Sequence, residues 1–226
     1  CNILQSVLPE LLEGYGRRQN TCHQYTIFRH ILETVDRVMP VPLLRLTGLF
    51  HDIAKPRVRK KMDGTWRFHG HEKASAVLAM EIMGRLRFSK EMIEKVTNLV
   101  RHHMIAYDSE WSDAAVRRLI SRVGLEQIMD LIALRRADIQ AHGLKHDKLD
   151  HLSELEARVK VHITGQIAIK PNDLAIDGHK VMEVLGIPPG PEVGRVLDEL
   201  VERIIDYPEL NDEDRLLGLL KQMKGA

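Results

Sequence analysis

The residues best able to do chemistry are a His-Asp doublet, His51 and Asp52, set in Leu49-Phe-His-Asp-Ile-Ala-Lys-Pro56, together with His30 upstream and Asp138 far downstream. A His-Asp pair alone says little, because a histidine among apolar neighbours is often a satisfied core or capping residue. Geometry raises the signal. At about 1.5 Å rise per residue, His30 lies about 15 Å before the Pro40-Val41-Pro42 corner and His51 about 14 Å after it, so two helices folded back there set them level. His30 falls on the apolar stripe of Ile27, Ile31, Val35 and Val38, and His51 sits among Leu43, Leu44, Leu46, Leu49, Phe50 and Ile53, so both imidazoles point inward. Asp138 follows Ile128, Leu131 and Leu134 at helical spacing, which turns its carboxylate to the interior as well. A buried carboxylate needs a cation, an arginine or several donors. Imidazole nitrogen and carboxylate oxygen together suit a divalent ion such as Mn, Fe, Co, Ni, Zn or Mg, and such a site can generate a hydroxide nucleophile near neutral pH.

Further ligands are on offer in Phe68-His-Gly-His-Glu72, through His71 and secondarily His69, and in Val100-Arg-His-His-Met104, through His102 and His103. They could complete a second metal site. His23, His142, His146, His151, His162 and His179 have no comparable companions in sequence and read as surface or capping residues. Lys55, Arg57, Arg59, Lys60 and Lys61 crowd behind the doublet. The outer ones suit a solvated ribbon edge guarded by charge as well as a phosphate contact. Lys55, three residues after Asp52 on the expected helix, faces the same side of the site. Asp52 and Lys55 are the catalytic candidates, and Lys55, Arg57 and Arg101 the phosphate-binding ones.

These side chains must be held by helices. Leu, Ile, Val, Met and Ala abound while aromatic residues make up 4% of the 226-residue chain, a balance that favours helix packing over sheet. An all-α fold is expected, with helices near 3–14, 23–39, 43–55, 71–87, 89–104, 112–122, 125–142 and 149–163, Ser89 and Ser112 serving as N-caps. Asp63-Gly64, between 58–62 and 65–68, predicts a small β-hairpin. After Gly165, the stretch 169–173 reads as a linker into a short helix, and Pro188-Pro-Gly-Pro191 opens a longer one near 191–206 whose Val193, Val196, Leu197, Leu200, Val201, Ile204 and Ile205 form a packing seam. Two parts follow: a metal-binding domain over 1–165 and a small C-terminal helical unit over 166–226. A net charge of +1 supplies no global field toward nucleic acid or membrane, so phosphate recognition must be local. Cys1 and Cys22 are the two cysteines, too few for a disulfide framework or a Cys-rich zinc site. No apolar run spans a bilayer and no signal peptide is evident, so a soluble, cytoplasmic protein without membrane partners is expected. The opening Cys-Asn in place of Met suggests a piece of a longer chain.

The order His30, His51-Asp52, Asp138 resembles the H…HD…D signature of the HD superfamily of metal-dependent phosphohydrolases, and His71 with His102 or His103 resembles the extra ligands of its two-metal members. The resemblance implies that Lys55 approaches substrate phosphate. Over nearly its whole length the chain is similar to the C-terminal part of bacterial CCA-adding tRNA nucleotidyltransferases and poly(A) polymerases. The matching stretches are Pro9-Glu10-Leu11, Gln19-Asn20, His23, the HDIAKP and FHGHE blocks, Asp173-Leu-Ala-Ile-Asp-Gly178 and Leu185-Gly-Ile-Pro-Pro-Gly-Pro-Glu-Val-Gly194. The Gly-Ser followed by Asp-x-Asp with which that family holds magnesium and nucleotide is not in this sequence, so nucleotidyl transfer is not credited to these residues. The expected function is metal-dependent hydrolysis of nucleotide or RNA-end phosphate esters, with tRNA as a further partner. The alternative is a non-catalytic metal- and RNA-binding module of a tRNA-processing enzyme.

Overall fold

The computed structural model describes residues 3–19, 24–143, 148–165 and 170–224. Cys1, Asn20, Cys22, His23, His146 and Ile169, named above, lie outside the described residues. The fold is all-α, 68% helical, with one two-stranded hairpin among the described residues. No helix among the described residues is long and apolar enough to cross a membrane.

Contacts divide the chain into two compact units, residues 1–108 with 126–154, and residues 109–125 with 155–226. The first unit begins with α1 (Ile3–Val7) and α2 (Pro9–Leu12), where a single amphipathic stretch is expected from sequence. The break falls at Leu8, because Pro9 has no N–H and opens the second helix as its first residue. Next come α3 (Ile27–Arg37) and α4 (Pro42–Phe50), the former capped by the Thr26 side chain, which accepts from Arg29 N at 3.3 Å. α3 and α4 pack on one another. Helix α4 ends earlier than expected: His51 to Ala54 form a turn, and Lys55 opens a separate short helix, α5 (Lys55–Val58). Pro56 has no N–H to donate to the carbonyl of Asp52, which interrupts the helical ladder, and the turn is tightened by Ile53 N to Phe50 O at 3.3 Å and Lys55 N to Asp52 O at 3.0 Å.

The hairpin β1 (Lys60–Met62) and β2 (Thr65–Arg67) pairs Lys60 with Arg67 and Met62 with Thr65. Asp63 and Gly64 supply its turn with φ of 49° and 75°, the two positive angles that a tight two-residue loop needs. Gly70, also left-handed at φ 75°, lets the chain turn sharply into α6 (His71–Arg85). α7 (Lys90–His102), capped by Ser89, and α9 (Ile128–Gln140) complete the helices wholly within this unit. Ile27, Ile31, Phe50, Ile53, Leu78, Ala79, Ile82, Met83, Val96 and Val100 form its main apolar core.

The second unit holds α8 (Asp113–Val123), capped by Ser112, then α11 (Gly178–Leu185), α12 (Pro191–Asp206) and α13 (Glu213–Lys224). α10 (Lys148–Thr164) gives its first residues to one unit and the remainder to the other. α8, which precedes residue 165 in sequence, packs on α12. Arg117 fixes this contact, donating from Nε to Ile205 O at 2.6 Å and from Nη2 to Asp206 O at 3.2 Å, so it satisfies carbonyls that the end of α12 leaves open. Val181, Val193, Leu200, Ile204, Leu216 and Leu220 make the core. α13, not among the expected elements, supplies the last two.

Candidate metal centre

The corner between α3 and α4 sets His30 and His51 side by side, fully buried, with their Nε2 atoms 3.3 Å apart. α9 brings Asp138 to the same place: its Oδ1 lies 3.0 Å from His30 Nε2 and 3.7 Å from His51 Nε2. A second pair, His71 from the start of α6 and His103 just after α7, meets Nε2 to Nε2 at 3.3 Å. Asp52 stands between the pairs. Its Oδ2 is 3.3 Å from His30 Nε2 and 3.2 Å from His51 Nε2, while its Oδ1 is 3.3 Å from His71 Nε2 and 3.7 Å from His103 Nε2.

Each ring is oriented by its other nitrogen. His51 Nδ1 donates to Gly48 O at 2.8 Å, His71 Nδ1 to Phe68 O at 2.8 Å, His103 Nδ1 to Val100 O at 2.7 Å and His30 Nδ1 to Ala141 O at 3.2 Å. A carbonyl can only accept, so the proton of each neutral ring sits on Nδ1 and Nε2 presents its lone pair. Four lone pairs and two carboxylates therefore converge in one buried space, where Asp52 Oδ2 is paired with Lys55 Nζ at 2.6 Å and its Oδ1 has no hydrogen-bond partner. Such a gathering of acceptors is costly without a cation. His30, His51 and Asp138 form one group able to hold an ion, and Asp52, His71 and His103 another, the ligand atoms of each group lying within 4.8 Å of one another.

Protonation tells the same story. Burial opposes charge on His51, yet the carboxylates of Asp52 and Asp138 overcome it and raise its pKa to about 10. His30 is likewise raised against burial by Asp138 and Asp52. Burial, then the charge of His51, pulls His103 down to about 3. Burial would raise both aspartates, but His51 and Lys55 hold Asp52, and His142 and His30 hold Asp138, well below the usual carboxylate range.

Lys55 is buried with Nζ 2.6 Å from Asp52 Oδ2 and 3.0 Å from Gln19 Oε1. It reaches the site from the first residue of α5, while Asp52 sits in the turn between α4 and α5. Asp52, Lys55, His71, His103 and Asp138 line an open cleft of about 490 Å³, walled on one side by residues 66–70 of the hairpin and its exit. The other basic candidates go elsewhere. Arg57 is exposed and held by Glu13, with Nη2 2.6 Å from Oε1 and Nε 3.0 Å from Oε2, and neither it nor the exposed Arg101 lines the cleft. Arg59 lies over the Trp66 ring at 3.5 Å. Of the neighbouring histidines, His103 and not the half-buried His102 joins the cluster, while His69 is exposed at the cleft's edge.

Two residues of the site were not anticipated. His142, expected at the surface, has Nε2 3.5 Å from Asp138 Oδ1 and its ring 5.4 Å from that of His30. Arg135 donates from Nη1 to Asp138 Oδ2 at 2.5 Å. Both stand one helical turn from Asp138, at the spacings that put side chains on one face, and that spacing was the available signal.

The fold and site together define a helical domain with a histidine–aspartate centre. Residues 70–220 match the family described as tRNA nucleotidyltransferase domain 2. The chain belongs to this tRNA nucleotidyltransferase family. It is 34% identical over 210 residues to the A-adding tRNA nucleotidyltransferase of Deinococcus radiodurans, covering 88% of this chain and 47% of that protein. It is 34% identical over 208 residues to the CC-adding tRNA nucleotidyltransferase of Thermus thermophilus, covering 88% and 46%. A bifunctional uridylyltransferase/uridylyl-removing enzyme of Streptomyces coelicolor is 27% identical over 157 residues, 62% of this chain and 18% of that protein. The chain thus spans about half the length of the two tRNA nucleotidyltransferases it matches.

Proposed function

We propose that this chain is an HD-type phosphohydrolase module, dependent on divalent metal, acting on nucleotide or RNA-end phosphate esters. The observation that carries the reading is the convergence of four imidazole Nε2 atoms on the two carboxylates of Asp52 and Asp138, with every Nδ1 already engaged by a carbonyl. His30, His51 and Asp138 hold one ion and Asp52, His71 and His103 a second. Mn, Fe, Co, Ni, Zn and Mg all suit these nitrogen and oxygen donors. Ions bound there supply Lewis acidity that activates water and polarises a phosphoryl oxygen. The remaining work belongs to the chain. The carbonyls of Gly48, Phe68, Val100 and Ala141 fix the rings, Arg135 steadies Asp138, and the Lys55 ammonium neutralises charge building on the phosphate in the cleft. A relative named for removing a uridylyl group as well as transferring one is in keeping with hydrolysis. The relatives named for tRNA point to a tRNA end as one substrate.

The test is to strip the purified chain of metal, reload it with Mn, Co or Ni, and assay 2′,3′-cyclic AMP, AMP and bis(p-nitrophenyl) phosphate. Metal-dependent turnover that disappears in the H51A/D52A double variant is the expected result. A metal-loaded protein that hydrolyses none of them, yet binds tRNA, would replace this reading with that of a non-catalytic support for RNA.

A further inference from the structure

A second cavity, of about 340 Å³, adjoins the metal cleft within the same unit. The two share Met104 and Arg135 as walls. The cleft is lined by the histidines, carboxylates and Lys55, whereas this neighbour carries the aliphatic side chains of Ile105, Ala106, Ile139 and Leu152 together with Tyr107, Asp108 and His151. Ile105, Ile139 and Leu152 are buried, so they offer a fixed apolar surface. Its volume is in the range of pockets that take small organic ligands, about 300–1,000 Å³. Arg135 stands between the two spaces. It is 8% exposed, its Nη1 is spent on Asp138, and its Nε is buried without a hydrogen-bond partner.

A cleft rich in histidine and carboxylate, joined through a guanidinium to a cavity walled largely by aliphatic side chains, matches a molecule with a phosphate at one end and a flat, largely apolar-faced ring at the other. We propose that the cavity beside Met104, Ala106 and Ile139 is the base-binding subsite for a nucleotide whose phosphate occupies the histidine–aspartate cleft, with Arg135 reaching the ligand where base and phosphate meet. The proposal rests on the functional reading above and deepens it, making the nucleobase, and not the phosphate alone, a determinant of binding.

The test is calorimetry on the Mn-loaded chain with AMP, ribose 5-phosphate and inorganic phosphate, and on the metal-free chain with adenosine. AMP should bind at least about tenfold more tightly than ribose 5-phosphate, about 1.4 kcal/mol. Ala106→Trp fills the cavity from an exposed loop position; it should bring AMP down to the level of ribose 5-phosphate and leave inorganic phosphate unchanged. Thermal unfolding checks that variant, and if it does not fold, Ala106→Leu takes its place with the same expected direction. Equal affinities for AMP and ribose 5-phosphate in the unmodified protein, or an AMP affinity untouched by filling the cavity, would overturn the subsite. Adenosine binding that A106W abolishes, with no phosphate binding at any metal loading, would leave the subsite standing and remove the metal-dependent phosphate reading.

Discussion

His30 and His51 meet Nε2 to Nε2 at 3.3 Å while each donates its Nδ1 proton to a main-chain carbonyl. Two lone pairs so placed repel unless a positive charge lies between or beside them. Beside Asp52 and Asp138 the site accepts such a charge as a proton or as a metal ion, and the two compete for it.

Metal content is the first consequence. The chain, as purified or after addition of Mn, Co or Ni, is expected to bind at least one ion, and elemental analysis of H51A/D52A should find none. Unchanged stoichiometry in that double variant would remove the ligand assignment.

Asp138→Asn keeps the shape and loses the charge. It should weaken metal affinity by at least about tenfold, roughly 1.4 kcal/mol, while circular dichroism shows the helices intact. Normal metal binding by this variant would mean that Arg135 and His142, not an ion, are the partners the carboxylate serves.

Proton competition fixes the pH dependence. With His51 raised to about 10 in the ion-free site, metal entry displaces a proton throughout the neutral range, so affinity should rise about tenfold per pH unit for each proton released. His103, pulled to about 3, has no proton to lose there. For the metal-free fold, a pKa raised above the ordinary 6.5 means His51 contributes stability that is full below about 6.5 and fades as pH climbs through about 10. Thermal unfolding of the metal-free chain should therefore weaken toward pH of about 10 from this source, and loading metal should offset the loss. A metal affinity flat across neutral pH would contradict the proton competition.

Lys55→Ala separates hydrolysis from support. Metal content should survive, since Lys55 is no ligand, while turnover falls by at least about tenfold, or roughly 1.4 kcal/mol. Arg59→Ala, which removes a charge stacked on Trp66, should cost much less. If the two variants behave alike, Lys55 is one part of a diffuse basic field.

Much of this was legible because it is local. Alternation at helical spacing turned His30, His51 and Asp138 inward, the serines at 89 and 112 started their helices, and Asp63-Gly64 made the hairpin. What was not legible depended on partners distant in sequence. The charge of Arg57 suggested phosphate, but Glu13, 44 residues away, takes it. α8 joins the C-terminal helices through Arg117 and residues 88 and 89 positions further on, a pairing no periodicity encodes. His142 was passed over because its companions are an aspartate one turn back and a histidine on another helix.

The carbonyls that orient the rings are unequal in one respect. For His51, His71 and His103 the acceptor sits three residues earlier in the chain, whereas for His30 it sits 111 residues later. Three imidazoles thus acquire their aim as soon as their own turn winds, at negligible loop-closure cost, and the fourth acquires it only when the far end of α9 arrives. Loop-closure cost alone therefore puts the setting of His30 after that of the other three rings, and an ion joining it to His51 and Asp138 would tie sequence-distant segments of this unit together, slowing their separation on unfolding.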